Sequence, residues 1–146
     1  MTARELLLQQ LAHAEGQLLQ AIRGLDAEAA ETRVNPESRT IREQVVHLAE
    51  AAVATLVAFE GGTYEAWGTW VPEDRSWEGT KRAWHEIRAG AIAKLPEDDA
   101  GLLAAHGFLL AHDYYHVGQI AAARRVAHPE WDTYSLYSPP ETGEGL

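Results

Sequence analysis

His112 and His116 stand four residues apart in the run His112-Asp113-Tyr114-Tyr115-His116-Val117-Gly118-Gln119. On an α-helix, residues at that spacing lie within about 40° of one another, so both imidazoles can reach one divalent cation from the same side. Leu102, Leu109 and Ile120 mark an apolar stripe with the rings at its edge, while Ala105 and Ala123 leave room beside them. Gln119 carries an amide on the same face, where a hydrogen bond would orient a ring. The plainer alternative is a pair of surface or hydrogen-bonded core histidines.

Two histidines make an incomplete site, whereas three protein ligands and an open position make a reactive one. His47 is the preferred third ligand, because helices in a bundle pack about 8–10 Å apart and a ring from one can meet two from its neighbour. By ideal periodicity His47 lies roughly 120° from the stripe Ile41, Leu48 and Phe59, so its inward direction requires a second buried side on that helix. His106 is the rival, but it is rotated about 80° from His116 on the same helix. His13 points away from the stripe of its own helix and is expected to be solvated.

Four helices are expected to position these groups, at about 3–25, 41–60, 76–95 and 99–127. Thr2 with Glu5 and Thr40 with Glu43 read as capping boxes that start the first two, and Asp98 or Asp99 can cap the fourth. Leu7, Leu11, Leu18, Ile22 and Leu25 recur at helical spacing in the first; Ile41, Val45, Leu48, Ala52 and Phe59 do so in the second, which Gly61-Gly62 stops. Trp77, Trp84, Ala91 and Leu95 form the inner face of the third, with His85 and Arg88 placed on its wetter sides. Val46, Val53 and Val57 give the second helix another apolar side, so it lies deep between neighbours or helps form a symmetric homodimer.

Tyr64, Trp67 and Trp70 crowd the 61–75 connection, with Trp77 just beyond it. They read first as anchors docking the loop and second as a pocket wall or lid. Trp131, Tyr134 and Tyr137 are expected to dock the tail, with the last seven or so residues loose. Strand alternation and internal repeats are missing, and an all-α four-helix bundle is the economical packing.

Composition narrows the function classes. A 146-residue chain with 46% hydrophobic content suffices for one domain with its own core. With no cysteine there is no disulfide framework, thiolate ligand or cysteine nucleophile, so any thiol chemistry must use sulfur carried by a small molecule. A formal charge of -10 opposes phosphate backbones, and nucleic acid is not an expected partner. The longest apolar run, 51–59, falls far short of the ~20 residues that span a bilayer, and Glu5 and Gln9 interrupt any N-terminal signal pattern. A soluble cytoplasmic protein is the expectation. Glu-x-x-His and His-Glu-x-x-His runs are absent, as are a phosphate loop and a nucleophile elbow, which sets aside di-iron, zincin, nucleotide and serine-hydrolase readings.

His47-Leu48-Ala49-Glu50 on the second helix, with His112-x-x-x-His116-x-Gly118-Gln119 on the fourth, resembles the DinB/YfiT-like superfamily of metal-dependent enzymes, over roughly 3–127. The resemblance implies an up-down-down-up bundle, often homodimeric, with a divalent metal held by His47, His112 and His116. It further implies a small-molecule substrate and, in S-transferase-like or isomerase relatives, a low-molecular-weight thiol such as bacillithiol, mycothiol or glutathione. The family's name refers to induction by DNA damage, hence a stress-response setting.

An all-nitrogen site suits zinc or nickel first, with copper and iron also compatible. Such an ion would activate a thiol or water for transfer to, or hydrolysis of, an electrophilic substrate. Glu50, Asp113 and Gln119 are the candidates for groups behind the ligands, although Glu43 and Glu50 read equally well as solvated carboxylates. The alternative function is a dimeric bundle that binds metal or a small hydrophobic molecule without turnover.

Overall fold

The computed structural model describes residues 1–138 and is helical throughout its regular structure. Helix α1 spans Ala3–Ile22, α2 Ile41–Phe59 and α3 Trp77–Ala93. The fourth rod runs without a break through α4 (Asp99–Ala105), a π-helical segment (His106–Ala111) and α5 (His112–Ala127). Short 3-10 turns, Ala29–Glu31 and Thr133–Tyr137, flank the rods. No helix among the described residues is long and apolar enough to cross a membrane. The expected loose end of the tail falls at 139–146, outside the described residues.

Local chemistry sets the helix starts. Thr2 Oγ1 accepts from Glu5 N at 3.1 Å while Glu5 Oε2 accepts from Thr2 N at 2.7 Å, and Thr40 with Glu43 repeats this exchange at 3.1 and 2.9 Å. Ser76 caps α3 through Gly79 N, and Asp98 caps α4 through Gly101 N. At the other end, α1 stops at Ile22, three residues short of the expected boundary, because Gly24 turns the chain with φ +76. Leu25 nonetheless stays buried.

The stripes pack as expected in α1 and for most of α2 and α3, each buried leucine or isoleucine contributing roughly 1.5–3 kcal/mol. Phe59 is half-buried instead. Helix α2 lies against α3, α4 and α5, which accounts for its second apolar side: Val46, Val53 and Val57 are half-buried between neighbours. Two apolar clusters result, one around Leu18, Val45, Trp84 and Ile120 and the other around Leu7, Leu11, Ala91 and Leu109.

Charged groups lie buried between these clusters. Arg88, expected on a wet side of α3, is 1% exposed. It donates to Asp113 Oδ2 at 2.8 and 3.3 Å and to the Leu11 carbonyl at 2.8 Å, and stands 3.4 Å from Glu15. His85, expected beside it in solvent, meets Glu15 Oε1 at 3.1 Å. The correction has a simple cause: complementary charges on α1 and α5 let α3 bury a guanidinium that would otherwise have to stay wet.

The tail also departs from expectation. Trp131 docks under the Arg124 guanidinium at 4.7 Å, but Tyr134 and Tyr137 are 77% and 78% exposed and meet each other instead. Leu136 packs on the core in their place, with its carbonyl accepting from Gln17.

The π-helical segment has a cause in the burial pattern. Gly101, Ala105, Leu109 and Asp113 are all buried at a strict spacing of four. On an α-helix such a row drifts by about 40° per step, or about 120° over three steps, and a wide turn takes up that drift. Below it the rod returns to α geometry at His112.

Candidate metal centre

His47 on α2 and His112 and His116 on α5 converge, with ring centroids 4.7, 5.2 and 5.0 Å apart pairwise. One ligand nitrogen from each lies within 4.8 Å of the other two. His47 Nε2 and His112 Nε2 are 3.0 Å apart. Nitrogens bound to one ion at about 2.0–2.1 Å stand roughly 2.9–3.4 Å apart at octahedral or tetrahedral angles, so this pair is already at bonding separation and small ring rotations bring in the third. His106 is exposed and plays no part in this cluster.

His47 turns inward because the second side of α2 is covered by its neighbours, which meets the requirement set by its position off the main stripe. His116 is 1% exposed, and its Nδ1 is held by Gln44 Oε1 at 3.0 Å. A carbonyl oxygen accepts, so Nδ1 carries the proton and Nε2 presents its lone pair. That Nε2 is buried without a hydrogen-bond partner. An orphaned buried acceptor costs about 1–3 kcal/mol, and a cation among the three rings removes the penalty. The donor set therefore fits a divalent ion better than a satisfied cluster of core histidines.

Protonation states agree with ligation. Burial, then the nearby His112, His47 and Arg39, pulls His116 down to about 3. Burial, Arg39 and His112 lower His47 to about 4 against the opposing pull of Glu50. Burial also lowers His112, partly offset by a hydrogen bond to the Phe108 backbone, with Arg39 adding to the lowering. All three rings are neutral at neutral pH, and an ion displaces no proton from them.

Of the three residues expected behind the ligands, Glu50 stands beside a ring, whereas Gln119 and Asp113 are engaged elsewhere. Gln119 is exposed and donates to Tyr115 Oη at 2.7 Å; only Tyr115 then touches His116, edge to face at 5.0 Å. Asp113 is taken up by the Arg88 pair rather than by a ligand ring, and burial raises its pKa despite that partner. Glu43 is engaged in the α2 cap. Glu50 is no solvated carboxylate, being 1% exposed. It accepts from Gly68 N at 2.8 Å, Trp70 N at 2.9 Å and Tyr64 Oη at 3.3 Å, and stands 3.9 Å from His47 Nδ1. Burial alone would raise its pKa, but the backbone donors of Gly68 and Trp70, with Tyr64 and His47, win and lower it.

Through Glu50 the aromatic connection is pinned beside the rings. Trp77, with Nε1 on the Leu25 carbonyl at 2.9 Å, and the half-buried Trp70 are anchors, as expected of that loop. Trp67 is different. It is 39% exposed, stacks against Phe108 at 6.2 Å and lies 5.8 Å from His47, forming an aromatic wall over the half-buried side of the cluster.

Sequence reasoning missed Gln44, Phe108 and Arg39. Gln44 was discoverable: it lies three residues before His47, on a neighbouring part of the same helix face. Phe108 and Arg39 come close only through tertiary packing. Comparisons of the chain with family models, with curated proteins and with solved structures find no match.

Proposed function

We propose that the protein is a metal-dependent enzyme of the DinB/YfiT-like kind, acting on a small electrophilic molecule with a low-molecular-weight thiol or water as the nucleophile. The observation that carries this reading is the buried, partnerless Nε2 of His116 in a ring clustered with two further neutral imidazoles. A divalent ion, zinc or nickel by donor type, supplies Lewis acidity that makes a thiol or water more acidic, and hence a competent nucleophile near neutral pH.

The chain's own groups divide the remaining work. Gln44 fixes the His116 ring, burial keeps the three imidazoles unprotonated, and Trp67 with Phe108 offers an apolar wall that excludes water from one side. The neighbouring carboxylates are committed elsewhere: Glu43 to a helix cap, Glu50 to loop amides, Asp113 to Arg88. None of these three carboxylates is placed as a general base. In the thiol case its proton leaves to solvent, sulfur forms the new bond to the electrophilic centre, and the leaving group departs with the bonding pair.

The packing of α2 on α3 and α5, and of α1 on α5, is that of a helical bundle, the architecture this reading requires. A second reading, a dimeric binding bundle without turnover, draws on the apolar groove between α1 and α4, where Leu6 and Leu103 are 47% and 71% exposed.

Elemental analysis of untagged protein, wild type beside His116→Ala, tests the metal, and a screen for thiol consumption with electrophiles tests the chemistry. About one zinc or nickel per chain, lost in the variant, together with metal-dependent thiol consumption, is expected. A variant that keeps its metal overturns the site; metal without turnover leaves the binding bundle.

A further inference from the structure

We infer that Arg39 and Arg75 bind the anionic group of the substrate, so that the site takes a small amphipathic carboxylate or phosphate ester rather than a neutral electrophile. The inference rests on the reading of His47, His112 and His116 as a metal centre and adds the class of molecule that it serves.

A cavity of about 550 Å³ opens beside His47, a size suited to a small molecule. Three arginines, Arg39, Arg42 and Arg75, line it in a chain whose net charge is -10. Arg42 is paired with Glu31. Neither Arg39 nor Arg75 takes part in a salt bridge among the described residues. The two acids in the wall, Glu43 and Glu50, are held by backbone N–H groups of the α2 cap and the aromatic loop. Arg39 and Arg75 are thus exposed cations in the cavity lining without an ion-pair partner among the described residues.

A dication held by three neutral rings adds further positive charge at this place. An oxyanion bridging Arg39 and Arg75 relieves the repulsion with charge-assisted, potentially bidentate hydrogen bonds. Val46, Trp70, Val71 and Pro72 line the same cavity and offer an apolar surface for the rest of the molecule. Arg39 also lines a second recess with Gln44 and Tyr115, so it stands between the two, while His47 lines the first.

Titrations with benzoate, phenyl phosphate and uncharged benzyl alcohol, followed by amide NMR shifts, test this in wild type, Arg39→Gln/Arg75→Gln and His116→Ala. Saturable shifts at Gly68, Trp70 and Val71 are expected with one or both anions and not with the alcohol; which anion binds separates carboxylate from phosphate recognition. The double arginine variant should weaken anion binding about ten-fold or more while retaining its metal and melting temperature. Persistence of the shifts in His116→Ala assigns them to the guanidiniums rather than to a cation. Equal binding of the alcohol, undiminished binding by the double variant, or loss of the shifts in His116→Ala overturns the inference. Failure of the metal reading shows separately, as wild-type protein without bound metal.

Discussion

The side-chain oxygen of Gln44 on α2 lies 3.0 Å from Nδ1 of His116 on α5, and this contact decides which ring nitrogen faces the other two imidazoles. It joins the two ligand-bearing helices at the point where their alignment matters, and it does so with a neutral group that leaves the ring its ordinary donor strength.

Replacing Gln44 by Leu should therefore lower ion affinity about 10–100-fold without unfolding the chain, because the ring loses its orientation but not its packing. Chelator competition on wild type and variant measures the ratio. Equal affinities would show that packing alone orients His116.

In the metal-free protein, stability should fall as pH drops below about 6.5. His47 and His116 titrate at about 4 and about 3 when folded, against 6.5 for an unperturbed ring. Between those values the unfolded chain binds protons that the folded chain refuses, so the contribution is complete above the unfolded pKa and lost toward the folded ones. Urea midpoints in chelator across this range should slope upward with pH, and His47→Ala/His116→Ala should flatten that part of the slope. Parallel slopes would contradict the burial of neutral rings.

Glu50→Ala removes the acceptor shared by Gly68, Trp70 and Tyr64. The orphaned amides should cost about 1–3 kcal/mol in urea unfolding. Limited proteolysis should find faster cleavage within 61–75, because Glu50 ties that loop to α2. Unchanged protection would mean that Trp70 packing suffices.

Arg88→Met should be the most destabilising single change considered, by about 3–5 kcal/mol, since it leaves Glu15 and Asp113 buried without their cation. Adding Glu15→Gln and Asp113→Asn should recover much of the loss, as judged by urea midpoints. Ion stoichiometry should stay at the wild-type value, because no hydrogen bond or ion pair joins this charge cluster to the ligand rings among the described residues.

Much of the architecture was legible because its determinants are local. Thr2 and Glu5, or Thr40 and Glu43, announce helix starts within four residues, and the stripe of α1 needs no partner to be recognised. The pair His112 and His116 is equally local. Pairings across helices were not legible: Arg88 looks like any solvated arginine until α1 and α5 supply Glu15 and Asp113. Gln119 shares the projected face of His116, and a single-helix projection cannot show that the amide reaching that ring comes from another rod. The exposed Tyr134 and Tyr137 show the same limit, as residue type alone does not reveal that Leu136 takes the docking position.

The wide turn at His106–Ala111 makes the fourth rod a splice between two phases. Closing that turn into uninterrupted α geometry with every residue kept would turn everything downstream by about 100° against Gly101 and Ala105. Both imidazoles of α5 would swing off the axis shared with His47, and Asp113 would leave Arg88 in the same rotation. The wide turn, by absorbing one surplus residue, thus keeps the ionic interior and the ligand cluster in register together, on adjoining faces of a single cylinder.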